Sequence, residues 1–252
     1  MTDPRTDHQL AADLAREAGE VLLGIRGDFP ADGEPAQLKS AGDLGSHEYL
    51  MAALATARPE DAVLSEEGAD DRARLSAERV WIVDPLDGTR EFSERPRDDW
   101  AVHVALWEAG SLVAGAVAIP ARGVVHSTAE PDSIPASTGG KIRLAVSRSR
   151  PPAWLPALVA ALDAELVPMG SAGVKAMSVL DGSADAYVHA GGQYEWDSAA
   201  PVIVAATAGL FTSRVDGSPL VYNQENVLLP DLIVCRPELA EQVLAAVADL
   251  DL

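Results

Sequence analysis

No segment constrains this chain more than Val80-Trp-Ile-Val-Asp84-Pro-Leu-Asp87-Gly-Thr89. The apolar run reads as a buried strand that delivers Asp84 to its C-terminal end. Pro85 cannot donate to a ladder and Gly88 permits a sharp turn, so the strand should stop here. Asp87 follows Asp84 by three residues, which lets a turn aim both carboxylates at one point, with the Leu86 carbonyl free to face it too. Carboxylates plus a carbonyl form the all-oxygen donor set that hard divalent cations such as Mg²⁺ take. Thr89 stands where a helix can begin, and amides at helix N-termini attract phosphate oxygens. An ordinary Asp-Gly turn with an Asx hydrogen bond fits the same letters, so this segment alone leaves both readings open.

The surrounding pattern sets the frame. Leu10, Leu14, Val21, Leu22 and Ile25 fall at helical spacing within 10–26, and a loop rich in glycine and proline follows. Ser46 is placed to cap a second helix that Pro59 stops. Residues 62–67 and 80–85 read as short strands ending in carboxylates, and three apolar runs from Trp100 to Ser127 as an antiparallel meander. The turn-rich stretch 128–140 is the best candidate for a boundary. Beyond it, strands at 142–147, near Leu166, at 185–190, at 210–215 and at 232–235 alternate with helices over 152–164, 173–182, 196–209 and 238–249. Such mixing predicts an α+β fold, with lobes at 1–139 and 140–252.

Composition narrows the partners. The 252 residues suffice for a core without staples, and the lone Cys235 excludes a disulfide framework or a cysteine-rich metal site. With 19 basic against 39 acidic residues the net charge is −20, which makes nucleic-acid polymers and anionic membranes poor partners. The charged opening MTDPRTDHQL lacks the apolar run of a signal peptide, and the longest uncharged stretch, 198–213, is too short to span a membrane. A cytoplasmic location is the expectation.

Two more acidic elements bear on the first. Ser65-Glu66-Glu67 ends a strand 18 residues before Asp84, and Glu195-Trp196-Asp197 opens a helix in the second half. Together SEE (65–67), WIVDPLDGT (81–89) and WDSAAP (196–201) resemble the inositol monophosphatase superfamily of Mg²⁺-dependent, lithium-sensitive phosphatases. DPLDGT continued by Arg90-Glu91-Phe92 resembles its CysQ-type 3′(2′),5′-bisphosphate nucleotidase group, whereas inositol monophosphatases proper look more like DPIDGTTNF. The resemblance covers nearly the whole chain and implies a layered α-β-α-β-α sandwich of the sugar-phosphatase type, with the active site between its lobes.

By that resemblance Glu66, Asp84, Asp87 and Asp197 are ligands of two or three Mg²⁺ ions, with the Leu86 carbonyl as a fifth ligand. Asp43 with Thr89 is expected to activate the attacking water, although this chain reads Lys39-Ser-Ala-Gly-Asp43 where relatives read Thr-Ala-Ala-Asp or Thr-Ala-Thr-Asp. The expected substrate contacts are Glu66, Leu86, Asp87, Gly88, Thr89, Arg90, Ser147, Gly170, Ser171, Lys175 and Asp197. Gly170 to Lys175 match the family's GSS-x-K segment, and Lys175 is one of only three lysines, so its placement stands out. His47, His103, His126 and His189 are read as structural or surface residues, and Tyr187 and Tyr194 as the candidates for stacking on adenine. The implied reaction is in-line hydrolysis of 3′-phosphoadenosine 5′-phosphate to AMP and phosphate by a metal-activated water, extending to the 3′-phosphate of 3′-phosphoadenylyl sulfate. A phosphatase for inositol 1-phosphate or fructose 1,6-bisphosphate is the alternative within the family. A non-catalytic metal-binding regulator is the alternative of another class. The partner is then a small phosphorylated nucleotide, and a homodimer is left undecided by composition.

Overall fold

The computed structural model describes residues 3–137 and 139–250. Thr6 caps helix α1 (Asp7–Asp28) in a capping box with Gln9, and Leu10, Leu14 and Leu22 form its buried stripe. Helix α2 (Pro35–Ala57) corrects the sequence reading, which began it at Ser46. It starts at Pro35, whose missing N–H is no loss in a first turn. Its glycines are points of close approach: a Cβ at Gly42 would stand 2.6 Å from Phe92, and one at Gly45 would stand 2.5 Å from Ile25. Asp43 therefore lies on a helix and not in a loop.

The first sheet has the order β1-β2-β3-β4-β5. Strand β1 (Ala62–Ser65) runs parallel to β2 (Arg79–Asp87). Strands β3 (Ala101–Glu108), β4 (Ser111–Ile119) and β5 (Val124–Ser127) add the expected antiparallel meander. The second sheet, β7-β6-β8-β10-β9, contains β6 (Arg143–Ser147), β7 (Glu165–Met169), β8 (Ala186–Tyr194), β9 (Phe211–Ser213) and β10 (Leu228–Cys235). Strand β6 is parallel to both neighbours, and the remaining pairs are antiparallel.

Strand alternation divides the core. Trp81 and Val83 pack with α1 and α2, while Val80 and Ile82 face α5 (Ala172–Leu180) and α6 (Glu195–Thr207), the layer between the sheets. Helices α4 (Leu155–Leu162) and α7 (Ala240–Ala248) cover the outer face of the second sheet through Leu158, Leu162, Val243 and Val247. The molecule is thus an α+β sandwich of helix, sheet, helix, sheet and helix. No described helix is long and apolar enough to cross a membrane.

Candidate active site

Strand β2 does not stop at Pro85. It bulges between Asp84 and Asp87 and pairs again at Asp87–Ala101, so the proline sits at the irregularity and its missing donor is absorbed there. The Leu86 N–H turns back onto Asp84 Oδ1 at 3.0 Å. Gly88, at φ 87°, then opens the short helix α3 (Thr89–Ser93). Asp197 arrives from the first turn of α6. One oxygen from each of Asp84, Asp87 and Asp197 lies within 4.8 Å of the others. Glu66 lies just past β1 and lines the same cavity, a charged neighbour of Asp84.

These carboxyls resist ionisation. Burial first, then the charges of Glu66, Asp87 and Asp197, pushes Asp84 well above the usual range. Burial and the neighbouring carboxylates raise Glu66 to about 7 and Asp197 to about 6. Asp87 goes the other way: burial raises it, but His103, Lys175 and Ser171 outweigh that and hold it below ordinary carboxylates. An all-oxygen cluster that ionises only at a cost is compensated by a compact positive charge, so the residues present fit a hard divalent cation.

The neighbours fix this cluster. His103 on β3 is fully buried, with Nε2 3.2 Å from Asp87 Oδ2 and Nδ1 3.1 Å from the Trp196 carbonyl oxygen. Its buried place agrees with a structural role, and it is a direct neighbour of a candidate ligand: burial lowers its pKa, but Asp87 outweighs that and raises it. Asp87 Oδ2 also accepts from Ser171 Oγ at 2.5 Å and from the Gly173 N–H at 2.7 Å. Lys175 is only 7% exposed; its Nζ donates to the Ser171 carbonyl at 2.5 Å and lies 5.4 Å over the Tyr187 ring. Thr89 Oγ1 is 3.1 Å from the Leu86 carbonyl oxygen and 3.3 Å from Asp43 Oδ1. Burial, then the charge of Glu67, raises Asp43 to about 6.

A cavity of about 450 Å³ opens over these groups. Glu66, Asp84, Leu86, Asp87, Gly88, Thr89, Arg90, Ser147, Gly170, Ser171, Lys175 and Asp197 line it, while Asp43 reaches the site through Thr89. Arg90 is on the exposed rim, 4.0 Å from Glu94, and Ser147 Oγ accepts the Arg150 N–H at 3.2 Å. Tyr194 instead stacks on Trp196, with centroids 4.8 Å apart. Trp154, His189 and Gln193, which the sequence reading did not assign to the site, also line the cavity. His189 Nε2 and Gln193 Oε1 are buried there without hydrogen-bond partners. Burial and the charge of Lys175 lower His189 to about 4, which keeps its ring neutral.

A carboxylate-lined cavity in a layered α+β sandwich brings together a donor set that fits a divalent cation. The chain belongs to the inositol monophosphatase family, whose sequence profile matches residues 3–252. It is 53% identical over 257 residues to a 3′-phosphoadenosine 5′-phosphate phosphatase of Mycobacterium bovis, covering 99% of this chain and 96% of that protein. It is 34% identical to the 3′(2′),5′-bisphosphate nucleotidase CysQ of Escherichia coli K12, covering 86% of this chain and 94% of that one. The crystal structure of CysQ from Bacteroides thetaiotaomicron matches with a TM-score of 0.76 at 29% identity, over 91% of this chain and 97% of that one.

Proposed function

We propose that this protein removes the 3′-phosphate of 3′-phosphoadenosine 5′-phosphate, giving AMP and phosphate, and acts on the same bond of 3′-phosphoadenylyl sulfate. The observation that carries this reading is the composition of the cavity. It joins the carboxylate cluster to an apolar wall of Val146, Pro152, Trp154, Leu155 and Val188. A phosphorylated polyol has nothing to place on such a wall, whereas a nucleotide base buries its faces there. The printed names of the relatives at 53% and 34% identity support the same substrate class.

Glu66, Asp84, Asp87, Asp197 and the Leu86 carbonyl would hold two or three Mg²⁺ ions. Bound there, such ions supply positive charge against the phosphate and acidify water. The protein's own groups position and move the proton. Asp43, with its pKa near 6, is ionised at neutral pH and takes the proton of the attacking water through the Thr89 hydroxyl. Ser171 and Gly173 hold Asp87 still, and Lys175 places a buried cation near Asp87 and Asp197. Attack on phosphorus is in line, so the 3′-oxygen leaves on the side away from the water. The segments 1–139 and 140–252 serve as the two lobes that enclose the substrate.

Phosphate release in Mg²⁺ from 3′-phosphoadenosine 5′-phosphate, inositol 1-phosphate and fructose 1,6-bisphosphate tests the reading. The nucleotide is expected to react fastest, with all release abolished by a chelator. Faster release from either polyol phosphate overturns the proposal.

A further inference from the structure

Asp87 is held from across the site by a loop in strained backbone. Ser171 adopts φ 53° and ψ 136°, which a residue with a Cβ avoids unless its neighbours over-determine it. On one side its Oγ donates to Asp87 and accepts the Val174 N–H at 3.0 Å, while its carbonyl accepts from Lys175. On the other side the Gly170 N–H donates to Asp99 Oδ2 at 2.6 Å. Asp99 is 2% exposed and paired with Arg97. Gly170 has no room for a side chain: a Cβ there would fall 2.3 Å from Glu91, which Arg148 anchors at 2.8 Å. A Cβ on Gly88 would stand 3.2 Å from that of Ser171. The stretch 87–99 therefore presents Asp87 and also grips the loop that secures it.

We infer that Asp99 is a positioning residue for cation binding. By accepting the Gly170 N–H it keeps Ser171 in the conformation whose Oγ, with the Gly173 amide, occupies Asp87 Oδ2 and leaves Oδ1 for the ion. Asp99 is not among the expected site residues and does not line the cavity. The inference rests on Asp87 being a ligand, as proposed above.

Two conservative variants separate this role from that of a plain ion pair with Arg97. Asp99→Asn keeps an acceptor oxygen at the same reach and gives up the charge. Asp99→Glu keeps the charge and moves the acceptor by one methylene. The affinity of the metal-free protein for Mg²⁺ or Mn²⁺ is measured by calorimetry, with melting temperature, kcat and KM alongside. Asp99→Asn is expected to bind within about threefold of wild type, and Asp99→Glu about tenfold more weakly, the range seen when groups behind metal ligands are disturbed. In Asp99→Glu kcat falls while KM changes little. The reverse order, equal loss in both, or loss in neither overturns the inference. Asp87→Asn serves as the control. If it binds the cation as tightly as wild type, the ligand reading fails and takes this inference with it; if it is weakened while Asp99→Glu is not, this inference alone fails.

Discussion

Thr89 Oγ1 stands 3.3 Å from Asp43 Oδ1, so a hydroxyl at the first residue of α3 meets a carboxylate from helix α2. The same hydroxyl is 3.1 Å from the Leu86 carbonyl oxygen, so its single hydrogen has two acceptors, of which only the carboxylate can take a proton. Removing the hydroxyl or the base breaks the proton path while the carboxylate cluster stays in place. Thr89→Ala and Asp43→Asn are each expected to lower kcat by about 10²–10⁴, with smaller effects on KM and recovery in Thr89→Ser. Steady-state kinetics decide the matter. Near-native kcat in Thr89→Ala removes the pair from the chemistry.

The raised carboxyls make the metal-free protein sensitive to alkali. Glu66, at about 7, and Asp197, at about 6, keep protons in the fold that the unfolded chain releases at ordinary carboxylate values. Between roughly pH 4 and 7 the unfolded state thus binds fewer protons, and stability falls as pH rises. Asp87, held low, loses its contribution only at the acid end of the scale. The melting temperature without metal is expected to be lower at pH 8 than at pH 6. Mg²⁺ should raise it more at pH 8, where no proton competes for the ligands. Equal melting temperatures at both values, with no response to Mg²⁺, would contradict the cluster's electrostatics.

The parts of this site that were legible in the sequence lie close together along the chain or at the start of a regular element. Asp84 and Asp87 could be read because a buried strand, a proline and a glycine leave their carboxylates few places to point. The α+β class and the meander followed from periodicity. Asp43 falls before a helix that the sequence reading starts at Ser46, while in the fold Gly42 and Gly45 lie within α2, where their missing side chains admit Phe92 and Ile25. His103 could not be found from spacing, since it reaches the site by pairing opposite Asp84 in the sheet register. Trp154 and His189 come from the second sheet and α4, and only tertiary packing brings them to the cavity. Local geometry carries a readable signature; approach between distant layers does not.

Lys175 is expected to matter for binding and not only for packing. Burial lowers its pKa, and its nearest charged neighbours are Asp87, Glu91, Asp197 and Asp99, so its charge belongs to the cluster. Lys175→Met should remove the proposed charge-assisted contact to the substrate's anionic oxygens, which corresponds to roughly tenfold or more in kcat/KM. Lys175→Arg should not recover it, because Nζ is buried against the Ser171 carbonyl at 2.5 Å and the larger guanidinium has no space there. Full recovery in the arginine variant would show that charge alone suffices.

Arg74 ties the first half of the chain to the helix that carries Asp197. It is 1% exposed and bonds Asp70 at 2.7 Å, Asn223 Oδ1 at 2.7 Å and the Gln224 carbonyl oxygen at 3.0 Å. The backbone amides of Asn223 and Gln224 each donate to the Glu195 carboxylate at 2.7 Å, at the first residue of α6. Arg74→Met fills the volume but leaves Asn223 Oδ1 and the Gln224 carbonyl without their donor, while Asp70, 32% exposed, keeps water and Arg72. Leaving two buried acceptors without their charged donor costs about 3 kcal/mol, which for a chain of this length lowers the melting temperature by roughly 6–12 °C. Because Glu195 precedes Asp197 by two residues, the loosened segment should also weaken cation affinity in the folded variant. Denaturant unfolding together with metal titration checks both effects. Unfolding within about 1 kcal/mol of wild type would mean that the two amides, and not the guanidinium, secure the start of α6.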